Sequence, residues 1–104
     1  MGGKMTEKSI EMKLVRAIKE LGGLAPKFVS PGFDGMPDRI VLLPVGRIAF
    51  VEVKAPGKKP RPLQLARHKL LHDLGFKVYV LDSIEGIKTL LSEMEVMPNE
   101  VHTT

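Results

Sequence analysis

Residues Gly35 to Lys54 read GMPDRIVLLPVGRIAFVEVK. Two β-branched and aliphatic runs, Arg39 to Leu43 and Arg47 to Lys54, flank the breakers Pro44-Val45-Gly46, so the stretch predicts a β-hairpin with a three-residue loop. If the hairpin is symmetric about Val45, Leu43 opposes Arg47, Leu42 opposes Ile48, Ile40 opposes Phe50 and Asp38 opposes Glu52. Opposed side chains share a face with their Cβ atoms roughly 5 Å apart, which sets Asp38 against Glu52. Lys54, two residues beyond Glu52, joins them on that face. The same face otherwise carries Ile40, Leu42, Ile48 and Phe50, so the charges lie at the margin of apolar surface. A register slip of one residue would send the two acids to opposite faces.

Two carboxylates in direct opposition destabilise a sheet unless something neutralises them. A hard divalent cation does so, taking an oxygen from each and leaving positions for water and a phosphate. Such an ion polarises a phosphoryl group, and a neighbouring lysine can orient or deprotonate an attacking water. These parts suffice for phosphodiester hydrolysis. The plain structural alternative is a turn-forming Pro-Asp pair and a surface Glu52–Lys54 pair. Pro-Asp followed within a few tens of residues by Glu-x-Lys arises by chance in on the order of a few per cent of chains this size.

Outward from the hairpin, Ile10, Leu14, Ala17, Ile18 and Leu21 recur at helical spacing, with Thr6 or Ser9 as N-cap and Gly22-Gly23 as the stop. Glu11 lies three, four and seven residues before Leu14, Val15 and Ile18, so its carboxylate leans toward the buried side of this helix. Lys27 to Ser30 is a short strand candidate, followed by the breaker-rich turn Pro31-Gly32-Phe33-Asp34-Gly35. Beyond the hairpin, Pro56, Gly57, Pro60 and Pro62 make a stiff connector into a second helix. Leu63, Ala66, Arg67, Leu70, Leu71 and Leu74 form its expected buried stripe, and Gly75 its cap. Phe76 to Leu81 reads as a strand, and Asp82-Ser83 caps a last helix through Ile84, Ile87, Leu90, Leu91 and Met94. The order α-β-β-β-α-β-α uses the second helix as a crossover between parallel strands, giving an α/β fold with a mixed sheet and helices on both faces.

With 104 residues the chain is expected to form one domain, with residues 1–5 and 98–104 as flexible tails. Composition is ordinary for a globular protein, 43% hydrophobic and 27% charged. The absence of cysteine excludes disulfides and thiolate metal sites. No apolar run approaches the roughly 18 residues of a membrane span, so the expected location is intracellular, in the cytoplasm. The net charge of +4 is concentrated between Val53 and His72, where Lys54, Lys58, Lys59, Arg61, Arg67 and Lys69 occur without an acid. A charge run alone usually marks a solvated face, but beside a candidate metal site it reads as a phosphate-binding rim.

Glu11, Gly35-Met36-Pro37-Asp38, Glu52-Val53-Lys54, Gln64 within Gln64-Leu65-Ala66-Arg67, and Leu74-Gly75-Phe76-Lys77-Val78 together resemble the PD-(D/E)xK nuclease superfamily, and within it the VRR-NUC (virus-type replication-repair nuclease) family. The resemblance spans Glu11 to about Leu81. It implies a restriction-endonuclease-like αβββαβ core, a C-terminal helix added to it, and dependence on Mg²⁺ or Mn²⁺. It further implies metal binding by Asp38, Glu52 and the Val53 carbonyl, with Lys54 addressing the nucleophilic water. Glu11 would complete the coordination sphere through water or a second ion, and Gln64 would support the site from the second helix. Lys58, Lys59, Arg61, Arg67, His68 and Lys69 are the DNA-binding candidates.

Small stand-alone members resemble Holliday junction resolvases, which implies a homodimer acting on branched DNA, with a phage gene as one source. The expected dimer surfaces are the apolar face of the last helix, including Met94 and Met97, or a sheet edge. A non-catalytic DNA-binding or replication accessory module on the same fold, and a flap or linear-duplex nuclease, are the alternatives. His68 and His72 stand four apart and could grip one zinc ion, but His-Lys-Leu-Leu-His lacks the internal glutamate of a metalloprotease and a third ligand.

Overall fold

The structure is a computed structural model and describes residues 5–94. The tail expected at 98–104 and the Met97 part of the expected dimer surface lie outside the described residues, as do residues 1–4. Helix α1 runs Glu7–Glu20 and begins at a reciprocal cap, in which Thr6 Oγ1 accepts from Ser9 N (3.1 Å) and Ser9 Oγ accepts from Thr6 N (3.0 Å). Both residues named as N-cap candidates thus take part, which is the capping-box arrangement with serine in the usual glutamate position.

Strands β1 (Arg39–Leu43) and β2 (Arg47–Val53) form the hairpin, and β3 (Lys77–Leu81) lies parallel to β2 in a sheet of order β1-β2-β3. The antiparallel register pairs Ile40 with Phe50, Leu42 with Ile48 and Leu43 with Arg47, as symmetry about Val45 requires. Helix α2 (Pro62–Asp73) makes the crossover from β2 to β3, and α3 (Glu85–Glu93) follows, its start held by Ser83 Oγ accepting from Gly86 N at 3.0 Å.

The core lies on one face of the sheet. Ile10, Leu14 and Ile18 of α1, and Ile87 and Leu90 of α3 with Met94 just beyond its end, pack on Val41, Leu43, Ala49, Val51, Val53 and Leu81. The sheet contributes its odd-numbered residues, as strand alternation demands. The opposite face carries an aromatic row in which Phe50 meets Phe28 and Phe76 edge-on, with centroids 5.7 and 5.6 Å away. Central strand β2 is covered on both faces, so Ala49 to Val53 are all buried and the strand cannot show simple alternation.

Three sequence expectations need correction. The strand expected at Lys27 to Ser30 is a pair of isolated bridges, Leu24 to Leu42 and Lys27 to Arg39, placed earlier in the chain. Pro26 lacks an N–H and interrupts the ladder, although its carbonyl still accepts from Ile40 N at 3.1 Å. Val29 then leaves the sheet and is 74% exposed. Gly23 opens this segment, where a Cβ would collide with the Leu42 carbonyl oxygen, so no other residue lets the chain lie so close to β1.

Second, the buried edge of α2 is Gln64 and Leu71 with His68 partly covered, whereas Leu63, Leu70 and Leu74 are 46%, 43% and 66% exposed. The helix turns this polar edge, spaced at i, i+4 and i+7, toward Glu52 and leaves its leucines outward. Third, Met94 is 2% exposed and belongs to the core, so it supplies no dimer surface.

The hairpin loop places Val45 at φ 68° and Gly46 at φ 71°, two consecutive residues in the left-handed region. Val45 is β-branched, and this conformation costs an L-residue about 1–2 kcal/mol. Val45→Asn is expected to raise the unfolding free energy by roughly 1 kcal/mol, seen as a higher urea midpoint at unchanged slope; an unaltered midpoint would mean that the turn is not strained.

Candidate metal centre

The hairpin delivers Asp38 and Glu52 to one end of the sheet. Asp38 immediately precedes β1, where its carbonyl accepts from Phe28 N at 2.7 Å and its Oδ2 accepts from Val53 N at 2.8 Å. The side chain thereby closes the end of the β1–β2 ladder at the residue after Glu52. Glu52 sits on central β2 and is 1% exposed.

The Glu52 oxygens have different surroundings. Oε2 accepts from Gln64 Nε2 at 2.8 Å, and Lys54 Nζ lies 3.7 Å from it. Gln64 is fixed in turn at the start of α2, its Oε1 accepting from Arg61 N at 2.8 Å, so one amide joins the helix cap to the buried acid. Oε1 is buried without a hydrogen-bond partner, and so is His68 Nε2, which lies 3.6 Å away, beyond hydrogen-bond range.

Burial, reinforced by the Asp38 carboxylate and opposed by Lys54, pushes Glu52 from its ordinary 4.5 up to about 7. Burial also lowers the His68 pKa, with Lys54 in the same direction and Asp38 against, so the imidazole favours its neutral form. The group therefore gathers two acids, an ammonium and an imidazole that favours its neutral form around the buried Oε1. Asp38, Glu52 and the Val53 carbonyl are the oxygen donors here that could hold a divalent cation. Among the described residues no cluster of three or more His, Cys, Asp or Glu side chains could by itself hold an ion. An ion here would need the carbonyl, water or substrate oxygens as well, as an open catalytic position does.

Glu11 is partly buried on α1, and its Oε2 is bound by Arg39 Nε at 3.0 Å, while Arg39 Nη1 donates to the Ala25 carbonyl at 2.6 Å. Arg39, whose place in the sequence carries no signal of this role, therefore anchors Glu11 beside the head of β1. Arg67 is turned to the loop before Asp38, its guanidinium 3.8 Å from the Phe33 ring centroid and its Nε donating to the Asp34 carbonyl at 2.7 Å. That loop lies so close to α2 that a Cβ on Gly35, at φ 89°, would stand 2.8 Å from Leu63 Cγ. Lys58, Lys59 and Arg61 are exposed on the connector, and Lys69 is exposed and pairs with Asp73 at 2.7 Å. His72 is 81% exposed, unlike His68 at 11%, so the two do not form a common site.

The profile of the VRR-NUC domain matches residues 5–85. The chain belongs to the VRR-NUC family. A solved structure titled "VRR_NUC domain" superposes with a TM-score of 0.78 at 33% identity, covering 85% of this chain and 97% of that one. A protein of Acyrthosiphon pisum secondary endosymbiont phage 1, named "Putative nuclease p44", is 58% identical over 77 residues, which is 74% of this chain and 83% of the phage protein. Asp38, Glu52, Lys54 and Gln64 all fall within the VRR-NUC match, and the likeness of fold is that of a nuclease domain. No helix among the described residues is long and apolar enough to cross a membrane.

The raised Glu52 pKa has a definite sign in the stability of the metal-free protein. Between 4.5 and about 7 the folded chain retains a proton that the unfolded chain has lost, so stability falls as pH rises through that window. Glu52→Gln removes this fall. In chelator, the urea midpoint of the variant is expected to gain on that of the parent from pH 5 to pH 8, and a constant difference across that range would contradict the assignment.

Proposed function

We propose that this VRR-NUC domain is a metal-dependent, structure-specific DNA endonuclease that hydrolyses phosphodiester bonds in branched DNA, in the manner of a Holliday junction resolvase. The single observation that carries the reading is the buried Glu52 Oε1, an acceptor without a partner, on a carboxylate raised by the neighbouring Asp38. Asp38, Glu52 and the Val53 carbonyl would hold Mg²⁺ or Mn²⁺. When bound, the ion polarises the scissile phosphate and supports charge on the leaving oxygen.

The remaining steps belong to side chains. Lys54, with Nζ 3.7 Å from Glu52 Oε2, orients the attacking water and takes part in its deprotonation. Gln64 donates to Oε2 and keeps Oε1 turned away from the helix cap. Glu11, anchored by Arg39, would contribute through water or a second ion. Lys58, Lys59 and Arg61 supply the phosphate rim, with Lys69 farther along α2. Arg67 serves the site by fixing the Phe33 loop, and through it the approach to Asp38.

Symmetric cleavage of a junction needs two sites, so the acting species is a homodimer. The outward stripe Leu63, Leu70 and Leu74 of α2 is apolar surface suited to a second copy. Sedimentation should give a dimer for the parent and a monomer for the Leu70→Glu, Leu74→Glu double variant; a monomeric parent under cleaving conditions would exclude resolution by a dimer.

Purified protein should cut a labelled four-way junction in Mg²⁺ or Mn²⁺, and not in chelator. Asp38→Asn and Lys54→Ala should each lower the rate by at least about 100-fold, the scale expected for loss of a transition-state group. Parent-like cutting by both variants would refute the site, and preferential cutting of flap or linear duplex would refute the substrate.

A further inference from the structure

Helices α1 and α3 both pack on the odd-numbered face of the sheet, and a groove of about 320 Å³ opens between them, lined from these two segments alone. Its floor is apolar: Ala17 of α1 meets Ile84, Ile87 and Leu91, which recur at i, i+3 and i+7 along α3. Its rim is Lys13, Arg16 and Glu20 of α1 and Lys88 of α3, all exposed. Three cations thus stand with one acid, and among the described residues none of the four makes an ion pair or a side-chain hydrogen bond.

The groove is remote from the carboxylates. At about 100° of turn per residue, its α1 residues project roughly 140–240° around the helix from Glu11. Glu52 faces α2 on the opposite side of the sheet, through its hydrogen bond from Gln64. An occupant of the groove therefore leaves that site open. Phosphate matches the rim but gains nothing from an apolar floor, whereas a helix with apolar side chains at i, i+3 or i+4 and i+7 and acids on either flank matches both. A second copy is a poor match: the exposed leucines of α2 stand among Arg61 and Lys69, which carry the sign of the groove's own rim. We propose that the α1–α3 groove docks an acidic amphipathic helix of a partner protein, tethering the domain without covering Glu52. The surface is independent of the metal-dependent reading.

The test starts from a phage-displayed library of random peptides of about 15 residues, roughly four helical turns, panned on the untagged full chain. Enriched peptides should carry an excess of Asp and Glu around apolar residues at helical spacing. A synthetic copy of the strongest should shift the ¹⁵N–¹H amide signals of Lys13, Ala17, Lys88 and Leu91 and spare those around Glu52. Arg16→Glu combined with Lys88→Glu should raise its Kd at least about tenfold. The signal map of the parent decides the matter even if the double variant does not fold. No enrichment, peptides without an acidic excess, shifts confined to α2, or binding that the folded double variant keeps would overturn the proposal. Duplex DNA that displaces the peptide and shifts the same amides makes the groove a nucleic-acid surface and overturns it equally.

Discussion

A carboxylate buried on the middle strand of the sheet is the constraint around which this protein is arranged. Glu52 is 1% exposed, and its neighbours stabilise it only in part. Gln64 hydrogen-bonds one oxygen and Lys54 lowers the pKa, yet burial and Asp38 outweigh them, and the acid is held near 7. A core built for stability alone would place an apolar side chain here, since a half-satisfied polar group in a sheet interior is worse than none. A cation bound as proposed would offset that disadvantage, since it would meet the free oxygen and balance the charge that raises the pKa.

The orientation of α2 follows from the same constraint. A helix with leucines at 63, 70, 71 and 74 would bury most of them if packing decided alone, yet it buries Gln64 and Leu71 and turns His68 to the acid. Exposing Leu63, Leu70 and Leu74 forgoes apolar burial worth about 1.5–3 kcal/mol for each fully buried leucine. The stripe is available instead to another surface. The Phe33 loop is fastened to this helix by Arg67, which ties the segment leading into Asp38 to the helix facing Glu52. Stability is supplied from the other side of the sheet, where Ile10, Leu14 and Ile18 close the core.

Much of this was legible in the sequence because hairpin geometry is local. The register follows from one loop, and the opposition of Asp38 and Glu52 needs only strand alternation. Helix α1 and its cap were readable from Thr6, Ser9 and the spacing of Ile10, Leu14 and Ile18. What failed depended on tertiary contacts. The segment at Lys27 to Ser30 looks like a strand, but Pro26 breaks its ladder and the pairing moves back to Leu24 and Lys27. Hydrophobicity alone cannot reveal that a buried acid claims the polar edge of α2. Met94 looked like spare apolar surface and is core, because α3 folds onto the α1 face. Arg39 was invisible as the partner of Glu11, being 28 residues distant. The place of His68 had a signal, its four-residue spacing from Gln64, which gains meaning only once Gln64 is known to face Glu52.

A cation at Glu52 is tested by anomalous diffraction from crystals equilibrated with Mn²⁺. A peak is expected at the end of the sheet, bounded by Asp38, Glu52 and the Val53 carbonyl. Saturating Mn²⁺ with no peak there, or with ions only elsewhere on the chain, would contradict it.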